Sequence, residues 1–140
     1  MIELQDPPRF QTNEIISFLK KMYGITANVE ALVSDIGQNF HTVDHQGNEF
    51  ILKIANSSES IWMLEAQNAI LEHLNKKNLE FRTPRIVPNL DNGKICQIES
   101  NEGKSFHVRL LSYLPGKFLA DVSPHTDNHM YDLGKLLANL

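Results

Sequence analysis

Apolar residues recur at helical spacing from Thr12 onward, with Ile15, Ile16, Leu19, Met22 and Tyr23 on one face. Thr12 can cap the start, Glu14 suits the positive end and Gly24 supplies a stop, so the pattern predicts a helix of about three turns. The period then shortens. Val29 to Ser34, Phe40 to Asp44 and Glu49 to Ile54 read as three strands, separated by the polar turns Asp35 to Asn39 and His45 to Asn48. Gly47 in the second turn predicts a hairpin. Ser57, Ser58 and Glu59 announce a second helix, running to about Lys76. On a helical wheel its Met63, Leu64, Ile70, Leu71 and Leu74 share an arc, Glu65, Asn68 and Glu72 lie opposite, and Gln67 stands alone inside the apolar arc.

A connection carrying Pro84 and Pro88 follows, then the turn Asp91 to Lys94, a strand Ile95 to Glu99, the turn Asn101 to Lys104 and a strand Phe106 to Ser112. The chain breaks at Leu114-Pro115-Gly116, and a last helix starts at Asp127 with Met130, Leu133, Leu136, Leu137 and Leu140 apolar. That apolar face has nothing obvious left to pack on, which reads as a domain cut from a larger protein. Without βαβ alternation, the order predicts an α+β domain: a five-stranded antiparallel sheet with one packed helix and flanking N- and C-terminal helices.

Composition narrows the partners. The 140 residues are 41% hydrophobic and 21% charged, the profile of one globular domain. A formal net charge of −4 disfavours nucleic acid, whereas a small anion needs only a few local donors. The single cysteine, Cys96, forbids an internal disulfide; Met1 to Pro8 fits no signal peptide; and no apolar run approaches the roughly 20 residues of a bilayer span. The expectation is a cytoplasmic protein with no membrane and no nucleic-acid partner.

Lys53 lies inside the apolar run Phe50-Ile51-Leu52-Lys53-Ile54. An ammonium there is costly to desolvate unless it meets an anion or a wet cleft; it also suits an edge strand guarded against aggregation. Gln67 follows on the next element, so its amide is placed to accept from Lys53, or from a backbone group in the core. The turn Ser34 to Asn39 can offer backbone N–H groups to a phosphate or simply connect strands. Leu110 to Gly116 is a hinge between lobes or an ordinary strand exit. The histidines at 41, 45, 73, 107, 125 and 129 and Cys96 show no metal-ligand spacing, and no Gly-x-Ser-x-Gly, Walker lysine or His-Glu-x-x-His motif occurs.

Five stretches in order, Gln38-Asn39-Phe40, Leu52 to Asn56, Glu65 to Asn68, Val108 to Gly116 and Leu133 to Leu136, resemble the N-terminal lobe of the protein-kinase-like fold. They are most similar to the aminoglycoside phosphotransferase (choline-kinase-like) family, in its branch of hydroxylysine kinases and phosphotransferase domains fused to aminotransferases. The resemblance implies a lead-in over 1–11, a nucleotide-binding lobe over 12–112, and a hinge and first helix over 113–140 leading to a C-terminal lobe. It implies that Lys53 contacts the α- and β-phosphates and that Gln67 stands where the family carries a lysine-orienting glutamate. Ser34, Asp35, Gly37, Gln38 and Asn39 would form the nucleotide-covering loop, and Ser112, Tyr113 and Leu114 the hinge that meets the base. The catalytic aspartate loop and the metal-binding residues of the family are missing, so this stretch holds no catalytic and no metal residue. The implied ligands are ATP or GTP with Mg2+ and a small hydroxyl-bearing metabolite, an amino acid or amino alcohol. The competing expectations are a non-catalytic regulatory module on the same fold and an interaction domain with no ligand.

Overall fold

The structure, a computed structural model, describes residues 7–140. Its elements are α1 (Thr12–Tyr23), β1 (Ala27–Leu32), β2 (Gln38–Asp44), β3 (Glu49–Ile54), α2 (Ile61–Lys76), β4 (Ile86–Val87), β5 (Cys96–Glu99), β6 (Ser105–Ser112), a 3-10 turn (Leu119–Asp121) and α3 (Asp127–Ala138). The α+β class and antiparallel sheet agree with the sequence, but among the described residues the sheet has six strands, not five. Its order is β1-β2-β3-β6-β4, with β5 also pairing with β6. The extra strand, β4, fell in the proline-bearing connection, where two residues between Pro84 and Pro88 show no alternation.

Local chemistry sets the ends. α1 is capped by Gln11 rather than Thr12, with the Glu14 carboxylate accepting from the Gln11 N–H at 2.7 Å. Gly24 ends it in the left-handed conformation, φ 68°. Ser60 caps α2 by accepting from the Met63 N–H. The β2–β3 hairpin closes through Asp44, whose carboxylate accepts from the backbone N–H groups of Gln46 and Asn48.

Strand alternation then sorts the two faces of the sheet. Phe40, Leu52, Ile54, Val108 and Leu110 point to one face and pack with Ile15, Leu19 and Tyr23 of α1 into the core. Of the lead-in expected over 1–11, residues 1–6 lie outside the described residues. Phe10 is docked into the core, its ring edge-on to Phe106 at 5.7 Å. On the opposite face the register aligns Asn39, Lys53 and Arg109 in one row across β2, β3 and β6. This is the face that α2 covers.

α2 sits rolled relative to the wheel expectation. Leu64 and Asn68 are its buried residues, while Met63 and Ile70, placed on the inner arc, are exposed. The physical reason is the row beneath it: α2 docks on a cation of β6, so polar Asn68 turns inward. Most apolar residues of α3 remain exposed, including Met130, Leu133 and Leu137, as does Leu140 beyond its end. None of the described helices is long and apolar enough to cross a membrane.

Candidate phosphate-binding cavity

A cavity of about 250 Å3 opens between the β1–β2 turn, the strand row and the start of α2. Ser34, Asp35, Ile36, Gly37, Asn39, Lys53, Glu59, Leu64, His107 and Arg109 line it. The turn is fixed over the sheet by contacts that leave little freedom. A Cβ on Gly37 would collide with the carbonyl oxygen of Ile54. The Asn56 side chain donates to the Ile36 carbonyl at 3.0 Å, and that of Asn39 to the Ser34 hydroxyl at 3.3 Å. Asn56 in turn holds the approach to α2: its N–H donates to the Glu59 carboxylate at 2.9 Å, and its side-chain oxygen accepts from the Ser58 N–H at 3.0 Å.

The electrostatics are unusual for a protein interior. Lys53 is half-buried and has no hydrogen-bond or ion-pair partner among the described residues. Burial, and then the charge of Arg109, hold its ammonium below the ordinary lysine range, with the Glu59 carboxylate opposing. Arg109 is 5% exposed, directly opposite Lys53 in the register. Burial lowers its pKa also, again against Glu59, yet a guanidinium keeps its charge. It donates to Asn68 Oδ1 at 2.9 Å and to Gln67 Oε1 at 2.6 Å, both neutral acceptors. Two cations therefore face one cavity, and no carboxylate among the described residues lies in ion-pair range of either.

This corrects the expected role of Gln67. Its amide lies on the lysine-bearing face, but it accepts from Arg109, not from Lys53. Gln38 is also elsewhere. Two residues from Phe40, it points to the core side, where it donates to the Phe10 carbonyl and accepts from the Phe10 N–H, each at 2.8 Å. The other loop residues, Ser34, Asp35, Gly37 and Asn39, do meet Lys53 at the cavity. Ser112, Tyr113 and Leu114 line a separate depression of about 300 Å3. They lie three to five residues along β6 and its exit from Arg109, at about 3.4 Å per strand residue. The N–H groups of Ser112 and Tyr113 are spent on the carbonyls of Arg85 and Glu49, whereas no described residue accepts from the N–H of Leu114. The His41 ring, 4.7 Å from that of Tyr113 and 2.7 Å from the Glu49 carboxylate, braces this exit. Sequence reasoning missed Arg109, Asn68, Glu59 and His107. Arg109 carried the same signal as Lys53, a cation inside the apolar run Val108 to Leu111.

Known proteins resemble this chain in sequence and in fold. The chain is 32% identical over 145 aligned positions to hydroxylysine kinase of Danio rerio, 30% to that of Xenopus laevis and 29% to that of Bos taurus. These alignments take in 95–97% of the chain but only 38–39% of each relative, so the chain spans well under half their length. The fold superposes on a microcompartment-associated aminopropanol kinase with a TM-score of 0.70 at 17% identity, covering 89% of this chain and 38% of that one. It also superposes on an amicoumacin kinase, solved in complex with AMP-PNP, Ca2+ and Ami, with a TM-score of 0.65 at 17% identity, covering 80% and 34%. The sequence pattern of the phosphotransferase enzyme family, APH, matches residues 29–140, which hold the turn, the lysine strand, α2 and the strand exit, and the chain belongs to that family.

Proposed function

We propose that residues 12–112 are the nucleotide-binding lobe of a small-molecule kinase and that 113–140 lead as hinge and first helix into a second lobe. The reaction is transfer of the γ-phosphoryl of ATP or GTP to a hydroxyl of an amino acid, amino alcohol or similar metabolite. The acceptor oxygen bonds to the γ-phosphorus, the bond to the β–γ bridging oxygen breaks, and the nucleoside diphosphate leaves. The hydroxyl proton goes to a base outside this lobe. One observation carries the reading: a lysine with no hydrogen-bond or ion-pair partner among the described residues, beside a buried arginine, in a cavity roofed by a turn pinned to the sheet. That donor set fits phosphate oxygens. The described residues hold no cluster of three or more His, Cys, Asp or Glu able to bind a metal. Mg2+ arriving with the nucleotide supplies neutralisation of phosphate charge. This lobe binds and orients: Lys53 meets the phosphates, the turn covers them, and the open N–H of Leu114 meets the edge of the base. The kinases named above, two of them for amino-bearing metabolites, support the substrate class.

The test is Lys53→Met in the intact natural protein. Phosphorylation should fall by about a hundredfold or more, since an oriented charge in a water-poor site is worth that much. The melting temperature should hold or rise, because a half-buried cation facing another has been removed. Near-normal turnover would refute the assignment.

A further inference from the structure

Lys53 and Arg109 are directly opposite on neighbouring antiparallel strands, an arrangement that destabilises a sheet when the charges are alike. Burying the guanidinium adds to that cost. An Arg109 kept only to tie β6 to α2 would be better served by a carboxylate on the helix, since charge-assisted pairs are the stronger ones. The helix offers two amides instead, from Gln67 and Asn68. Amides fix the direction of a guanidinium without cancelling its charge. Glu59, the carboxylate felt by both cations, is held by the backbone N–H of Asn56 and is in ion-pair range of neither.

We propose that Arg109, clamped by Gln67 and Asn68, is a phosphate-positioning residue that acts with Lys53 as a pair of cations with no described carboxylate in ion-pair range, and that the polyphosphate of the bound nucleotide is their counter-ion. The neutrality of Gln67 is then a requirement of the site. A carboxylate at that position would occupy Arg109 and compete with the phosphates. This deepens the nucleotide reading and rests on it.

The intact natural protein is titrated with Mg-ATP and with adenosine by calorimetry, as native protein, Gln67→Glu and Arg109→Met, with melting temperatures recorded alongside. Gln67→Glu should strengthen the tie between β6 and α2 and hold or raise the melting temperature. It should also weaken Mg-ATP about tenfold while leaving adenosine unchanged, and flatten the salt dependence of Mg-ATP binding. Arg109→Met should weaken Mg-ATP by a similar factor, again sparing adenosine. A purely structural Arg109 gives the opposite result: Gln67→Glu binds Mg-ATP as well as the native protein or better, and that outcome overturns the proposal while the nucleotide reading stands. Native protein that binds neither ligand overturns both.

Discussion

At Gly37 the turn comes so close to β3 that a side chain has no room: the atom in the way is the backbone carbonyl oxygen of Ile54, which cannot rotate aside. Gly37→Ala therefore has to lift the turn or distort the strand. Overpacking of this kind costs about 1–3 kcal/mol, and here the displaced atoms include the cavity roof. We expect a lower denaturant midpoint together with weaker Mg-ATP binding; a variant unchanged in both would show that the turn gives way freely. Residues of this kind differ in how well the sequence displays them. Lys53 is visible because a charge interrupts an apolar run. Gln38 is misread unless strand parity is followed from Phe40, after which its side chain has to face the core. The partner of Gln67 was not legible at all, because Lys53 and Arg109 become neighbours only through a β3–β6 pairing that skips β4 and β5.

Elements were legible where one period runs long enough. β3, the end of α2 at Lys76 and the start of α3 at Asp127 match expectation, whereas α2 begins at Ile61, after the Ser57 to Glu59 signal. The roll of α2 was not, because a wheel assumes that buried means apolar, and this helix docks on Arg109. β4 was not either: two residues carry no period. The β2–β3 hairpin, which sets the register of the lysine strand, turns on Asp44. Its carboxyl is held below the usual range, first by the Asn48 side chain and then by the backbone N–H groups of Asn48 and Gln46. A depressed carboxyl contributes stability that is complete above its ordinary pKa and is lost as pH falls through the lowered one. Asp44→Ala should accordingly melt at a lower temperature at neutral pH, and its gap from the native protein should narrow as the solution is taken below the ordinary carboxylate range. A gap that stays constant with pH would mean that the charge plays no part in the turn.

Across the whole molecule, the antiparallel sheet divides two kinds of work. The face toward α1 is an aliphatic and aromatic core; the face toward α2 carries the charges of Lys53 and Arg109. One layer of backbone separates the two faces. Gln38 is the exception that joins them. Its side chain meets both the N–H and the C=O of Phe10, standing in for a missing strand partner, and it does so from the residue immediately after Gly37. Phe10, just ahead of α1, is thus moored to the far end of the cavity roof. A version of the protein beginning at residue 12 would keep every lining side chain and still lose that mooring. Faster nucleotide release from it, with the occupied site otherwise intact, is the measurable sign that the start of the chain helps to hold the roof down.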